Sequence, residues 1–382
     1  MSTSGKNAAV AEQRPAKMHW YPFWSPRFWD GMRFGVWLQL LAENRFRVDP
    51  RRLPMAVLIT LFTPFNSTMA RIQRWRHAEK IRRTPIDQPP LFIIGHWRSG
   101  TTYLHELLAR DKRFTYPTTY QCFAPEHFVV TEWLFAKYFG FLLPRRRPMD
   151  NVQAGWSRPQ EDEFALMTAG ARSPYRRMAF PNSGPVDMQY LDMEELTEEQ
   201  LQCWQRTLLE FVQALTYKTG KRVVLKSPTH TGRIHVLARL FPGAQFIHVT
   251  RHPDSLFPST CRLWKSLDQV QGCQVPHHRD LEDYVLTAFE RMYASFHRHR
   301  NELAPEQLCD IRYEDLVAAP VASLQRIYEQ LNLGDFETVR PDLVAYTEKQ
   351  KSYQTNVYQL APDRQAELRR RWADYFERYG YE

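Results

Sequence analysis

The chain reads as an α/β protein: a central parallel sheet flanked by helices, with a helical extension at its N-terminus. Three observations predict this. Short apolar runs without clear alternation ("LFII", "RVVLK", "AQFIHVT") are separated by helical stretches, the pattern of strands buried on both faces of a parallel sheet. The first of these runs leads through a glycine turn directly into an amphipathic helix, "LFIIGHWRSGTTYLHELL" (91–108). The first 90 residues also differ from the rest: they hold 15 Lys and Arg against 6 Asp and Glu, whereas the other 292 are balanced at 36 of each.

The extension, residues 1–88, opens on a short polar stretch with no apolar core for a secretory signal, so a cytoplasmic-facing protein is expected. Eight aromatic residues crowd between Trp20 and Trp37, and the run "LPMAVLITLFTPF" (53–65) is 13 residues long, short of the roughly 20 needed to span a bilayer. Basic charge beside tryptophan and apolar segments suits docking onto an anionic membrane surface; packing on the following domain as a basic cap is the alternative. No nucleic-acid fingerprint accompanies the charge, and none is expected as a partner. The five cysteines show no C-x-x-C spacing, which fits a reducing compartment and argues against a zinc ribbon or a disulfide frame.

"RRTPIDQPP" (82–90) is a proline-marked linker into a domain spanning 89–382. Strand 91–95 and helix 100–110 come first, then a long helical and loop insert at 119–220 that would shape an acceptor pocket. Strands at 222–226, 244–250 and 308–313 follow, with helices at 253–266 and 279–303 between them. A strand that ends in glycine and opens a helix gathers backbone N–H groups and the helix dipole around an anion. Against G-x-x-x-x-G-K-[ST], Gly95, Gly100 and Thr102 fit, but Thr101 stands where the lysine belongs. Arg98 brings a permanent charge into the loop, and the hydroxyls of Ser99, Thr101 and Thr102 add donors. A second anion grip is expected at "HVTRHPDSLFPST" (248–260), where Arg251 stands at a strand tip and Ser259 follows in the next helix. Two grips call for a ligand with two separated anionic groups.

Three motifs in order, "RSGTT", "LKSPTHTGRIHVLARLFPGAQFIHVTRHP" and "IRYEDLVAAP", resemble the sulfotransferases that use 3′-phosphoadenosine 5′-phosphosulfate (PAPS), over roughly residues 90–335. The likeness is to bacterial-type members and the tyrosylprotein branch. It implies a P-loop NTPase-like three-layer fold and sulfuryl transfer to a hydroxyl or amine acceptor without a metal. It implies that Arg98, Ser99, Gly100, Thr101 and Thr102 hold the 5′-phosphate and sulfate, with Tyr103 at the adenine-stacking position. Arg251 and Ser259 match the pair on the 3′-phosphate, Tyr313 a tyrosine near the adenine, and Lys226 a lysine that stabilises charge on the leaving oxygen. The glycine-rich loop that closes over the nucleotide in cytosolic enzymes is absent; Lys351, Tyr353 and Asn356 lie in the corresponding region.

The general base stays open. His230 in "KSPTH" is of the residue type whose unperturbed pKa suits the task, but it lies four residues past Lys226 rather than two. Glu161, Asp162 and Glu163 in "RPQEDEFAL" are the alternative, unless no side chain serves. Two other functions compete: a P-loop phosphotransferase or nucleotide-binding protein, and a non-catalytic peripheral membrane protein on the same fold. Thr101 in the lysine position argues against the first, and intact Arg98, Lys226, Arg251 and Ser259 argue against the second. The expected acceptor is a small or lipid-like molecule.

Overall fold

Among the described residues, five strands form one parallel sheet in the order β2-β3-β1-β4-β5. The computed structural model describes residues 21–22, 24–139, 141, 155–350 and 360–382; Trp20, Phe23, Lys351, Tyr353 and Asn356 lie outside these. A 3-10 turn at Phe28–Gly31 precedes α1 (Phe34–Glu43) and α2 (Leu53–Arg82). The domain proper runs β1 (Leu91–Ile94), α3 (Thr101–Leu108), β2 (Phe114–Thr115), α4 (Thr119–Phe123), α5 (Phe128–Tyr138), α6 (Asp162–Ala169) and α7 (Glu198–Thr219). Then come β3 (Arg222–Lys226), α8 (Ile234–Leu240), β4 (Gln245–Thr250), α9 (Pro253–Gln271), α10 (Leu281–His299) and β5 (Leu308–Arg312). The chain closes with α11 (Tyr313–Ala318), α12 (Pro320–Gln330), α13 (Arg340–Gln350), α14 (Pro362–Arg371) and α15 (Ala373–Tyr379).

Side chains on β1 alternate between two cores, which makes the fold three-layered. Phe92 and Ile94 join Val223, Leu225 and Phe246 on one face, beneath the N-terminal helices, α7 and α10. Leu91 and Ile93 join Val224, Ile247 and Val249 on the other, beneath α3 and α12. β1 and β4 pair in register from Leu91–Gln245 to Ile94–His248, so their C-terminal tips end side by side. That juxtaposition sets the glycine loop next to Arg251. The edge strand β5 alternates buried Cys309 and Ile311 with partly buried Leu308 and Asp310, while the other edge, β2, is only two residues long and carries no periodicity a sequence could reveal.

The N-terminal extension packs on the domain along one face. Trp29 and Trp37 are fully buried, the Trp29 indole N–H donates to the Gln271 carbonyl (2.6 Å), and the Phe28 ring stacks on Phe164 at 3.8 Å. α2 continues well past the 13-residue apolar run to reach 30 residues, and by length and composition it could cross a membrane.

Candidate active site

The loop after β1 is shaped by close approach of backbone. Gly95 has φ +134°, and a Cβ there would lie 2.4 Å from the Val249 carbonyl oxygen. Its N–H donates to Thr231 Oγ1 (2.8 Å). Arg98 takes a positive φ of 69°, and Gly100 (φ +105°) caps α3. A Cβ on Gly100 would meet the Tyr313 ring at 2.2 Å, so only glycine lets that ring come this close to the loop. The N–H groups of Tyr103 and Leu104 both bond the Gly100 carbonyl, which leaves those of Thr101 and Thr102 ahead of the first intrahelical bonds, at the positive end of the dipole.

Arg251 leaves the tip of β4 beside this loop. Its guanidinium donates to the Arg98 carbonyl (2.9 Å) and lies 4.3 Å over the centre of the Tyr313 ring. The Arg98 Nε donates to Ser259 Oγ (3.0 Å), in the second turn of α9. Arg98, Gly100, Arg251, Ser259 and Tyr313 are thus one contiguous group. The side chain of Arg98, expected on the 5′ side of a nucleotide, turns instead toward the grip that Ser259 shares. The C-terminus buttresses the same spot: the Arg251 N–H donates to Tyr375 OH (3.0 Å), and Tyr381 OH donates to Thr250 Oγ1 (3.1 Å).

A second group forms where β3 ends. The Lys226 ammonium donates to Glu161 Oε1 (2.6 Å) and lies 3.5 Å from Thr102 Oγ1. Lys226 is only 2% exposed and Glu161 16%, so the carboxylate is the member of the pair that reaches solvent. Tyr175 OH donates to Glu161 Oε2 (2.6 Å) and accepts from the Trp97 indole N–H (2.8 Å). Burial and the neighbouring Glu161 carboxylate push the Tyr175 phenol well above its ordinary value, so it stays a donor.

The three consecutive acids point three ways. Glu161 is the cap residue of α6, outside the helix; Asp162 and Glu163 open its first turn and are fully buried. Asp162 accepts from Ser227 (2.8 Å) and from His230 Nε2 (2.6 Å), and Glu163 is clamped by Arg233, Ser173 and Thr229. Burial works to raise both carboxyls, but His230 and Arg233 respectively outweigh it and hold each below its ordinary value.

His230 is therefore a correction. Its ring is fully buried, edge-on to Phe92 and Trp204, with Nε2 on Asp162. There it braces α6 through Asp162, while its Nδ1 is buried and has no hydrogen-bond partner among the described residues. Ser99 is buried too, its hydroxyl lying beneath the loop 2.7 Å from where a Cβ on Gly95 would sit. Thr101 is buried as well. Tyr103 is half-buried with Tyr313 and Tyr346 as neighbours; burial, then those two phenols, push its pKa to about 12. Trp97, Tyr175 and Tyr375 were not anticipated. Trp97 sat in view inside the glycine loop, whereas Tyr175 and Tyr375 reach the site from distant segments that share no motif with it.

The sulfotransferase family model matches residues 89–337. Omega-hydroxy-beta-dihydromenaquinone-9 sulfotransferase Stf3 of Mycobacterium tuberculosis (strain CDC 1551 / Oshkosh) is 42% identical over 359 residues, covering 94% of this chain and 92% of the relative. The chain belongs to the sulfotransferase family. The protein of the same name from Mycobacterium bovis (strain ATCC BAA-935 / AF2122/97) matches equally. Because so little of the chain is left uncovered, the alignment takes in most of the N-terminal extension, which the family model omits. Among solved structures, sulfotransferase STF1 of Mycobacterium tuberculosis H37Rv superposes with a TM-score of 0.62 at 17% identity, covering 89% of this chain and 90% of that one. STF9 of Mycobacterium avium superposes with a TM-score of 0.62 at 18% identity, covering 92% and 97%. These two show a shared fold. As a sulfotransferase, the chain moves a sulfuryl group onto an acceptor, and its α/β core is the one expected from the strand pattern.

Proposed function

We propose that this sulfotransferase takes its sulfuryl group from PAPS and transfers it to the hydroxyl of an apolar, long-chain acceptor, a hydroxylated prenyl quinone of the kind named in the Stf3 relatives. The carrying observation is the position of Lys226, between Glu161 on one side and Thr102 of the glycine loop on the other.

The residues fit the donor. The backbone of 95–102, with Thr102, suits the 5′-phosphosulfate; Arg251, Ser259 and the Arg98 side chain suit the 3′-phosphate; Tyr313 and Tyr103 suit the adenine. The Gly100 surface under Tyr313 keeps that ring in place. Sulfuryl transfer, like phosphoryl transfer, passes in line through a loose transition state, so positioning and charge stabilisation carry most of the catalysis. The acceptor oxygen forms the new S–O bond as the bond from sulfur to the bridging phosphate oxygen breaks. Lys226 stabilises charge on that departing oxygen, and Glu161 takes the acceptor proton. The phosphate and Glu161 compete for one ammonium, so arrival of the donor draws Lys226 off and releases Glu161 to act as base. Trp97 and Tyr175 hold the carboxylate in position while this happens.

The test is transfer from radiolabelled PAPS to a hydroxylated prenyl quinone in detergent, compared with short alcohols and phenols. Preference for the long-chain acceptor by kcat/KM supports the proposal. Labelling of the small acceptors alone would reject the lipid-like part, and no labelling of any acceptor would reject the donor.

A further inference from the structure

The N-terminal helices carry a second apolar stripe that no core covers among the described residues. Along α2 the buried positions Ala56, Ile59, Thr63, Asn66, Ala70 and Gln73 advance by threes and fours, one face of a helix. Opposite them Leu53, Val57, Leu58, Leu61 and Phe62 are exposed, Leu61 to 71%, and so are Phe34 and Leu38 on α1. Apolar side chains clustered like this mark an interaction site rather than ordinary scatter. Exposed arginines stand at both ends of the stripe: Arg45, Arg47 and Arg51 before it, Arg71, Arg74 and Arg76 after it. Between Asn44 and Ala78 there is one acid, Asp49, and its carboxylate is occupied by the Arg51 N–H. Trp75, 82% exposed, lies within the second arginine group.

Although α2 is long enough to span a bilayer, it is tied lengthwise to the protein body. The ties start with Trp37 Nε1 on Thr60 (2.9 Å), pass through Asn66 on the Met32 carbonyl (3.0 Å) and Gln73 on the Val129 N–H (2.9 Å), and end with Gln213 on the Arg82 carbonyl (3.1 Å). Held this way, the helix lies along a surface and does not cross one. A second copy of this chain on the same face would set like-charged arginine groups against each other, which disfavours a symmetric dimer. An apolar stripe framed by cations fits an anionic bilayer surface.

The stripe also connects to the chemistry. Ring contacts run inward from exposed Phe62 to Phe65 (5.2 Å), Phe135 (6.3 Å), Tyr120 (5.1 Å) and Trp156 (5.7 Å), five residues before Glu161. We infer that α1 and α2 seat the enzyme on an anionic lipid bilayer with α2 in the interface plane, and that a lipid-tailed acceptor reaches Glu161 along this aromatic ribbon. The route for the acceptor rests on the function proposed above; the seating does not.

The experiment is co-sedimentation of the full chain with phosphatidylcholine vesicles, with and without phosphatidylglycerol, at low and high salt and without donor or acceptor. Binding is expected only to the anionic vesicles and is weakened by salt. Leu61→Glu with Phe62→Glu, on an exposed face, lowers the bound fraction about tenfold or more by removing two apolar insertions. Arg71→Glu with Arg74→Glu lowers it independently, so a folding defect in one variant does not decide the matter. Each variant is checked for its thermal shift with adenosine 3′,5′-bisphosphate. Absent binding by the wild type, or wild-type binding retained by both variants, overturns the inference. So does a wild-type dimer in sedimentation velocity that Leu61→Glu with Phe62→Glu dissolves, since the face then belongs to a second copy. Vesicle binding that fails while the nucleotide shift and labelled transfer persist removes the seating alone.

Discussion

Replacing Glu161 by glutamine separates its possible roles, because each moves a different observable. The substitution removes the counter-charge of a lysine that is 2% exposed. Complete loss of a partner from a buried pair costs about 3–5 kcal/mol. Here the glutamine oxygen still accepts from Lys226 and the site retains solvent contact, which reduces the cost to about 1–2 kcal/mol. A few degrees in Tm is the expected change. Loss of the base slows the chemical step by about 10²–10⁴-fold. Nucleotide affinity moves the other way: Lys226 no longer has a carboxylate holding it back from the phosphate, so adenosine 3′,5′-bisphosphate binds as tightly as before or more tightly. Single-turnover transfer from labelled PAPS reports the first effect and titration calorimetry the second. A variant that keeps the wild-type rate within a few-fold refutes the base assignment. One that loses nucleotide affinity along with rate refutes the competition for Lys226 and leaves Glu161 a structural role.

Three further predictions follow from the site and the core. Arg251→Ala raises the KM for PAPS by about tenfold or more through loss of a charge-assisted contact and changes kcat little, whereas Lys226→Ala mainly lowers kcat; equal losses in both parameters for both variants would contradict these roles. Gly100→Ala, at φ +105° and 2.2 Å from the Tyr313 ring, destabilises the protein by at least about 1 kcal/mol and weakens nucleotide binding by displacing that ring; a wild-type Tm and Kd would argue against the close approach. Burial lowers the pKa of His127 to about 4. Between its ordinary value and about 4 the unfolded chain takes up a proton that the native state refuses, so stability falls with pH at about 1.4 kcal/mol per unit. Burial lowers His96, His235 and His297 as well, and these add to the overall slope. His127→Asn is therefore expected to make thermal melts from neutral pH downward shallower by this one residue's share, and an unchanged slope would contradict its burial as a neutral imidazole.

Much of the site was legible because its parts are local in sequence. The glycine loop, Lys226 at a strand end, and Arg251 with Ser259 each sit inside one short motif, and parallel pairing of β1 with β4 does the rest. What was not legible depends on direction. "EDE" looks uniform, yet the boundary of α6 puts Glu161 outside the helix and Asp162 and Glu163 inside it, one toward the site and two into the core. His230 has the residue type and the neighbourhood of a base, but the 3-10 turn Pro228–Arg233 buries it on Asp162. The length of α2 escaped a reading based on the apolar run alone, since its second half is polar on the exposed side and is held helical by contacts with α5 and α7. Tyr175 stands 14 residues from Glu161 and 78 from Trp97, and Tyr375 stands 124 from Arg251, with no motif to announce either contact.

The central claim is that the glycine loop and the Arg251–Ser259 grip hold opposite ends of one bisphosphorylated adenosine. Calorimetric titration of the wild type and Arg251→Ala with adenosine 3′,5′-bisphosphate and with adenosine 5′-monophosphate tests it directly. In the wild type the 3′-phosphate is expected to improve affinity by about tenfold or more, and in Arg251→Ala that advantage collapses. Equal affinity of the wild type for the two nucleotides, or an advantage that survives in Arg251→Ala, would show that the second grip holds something else.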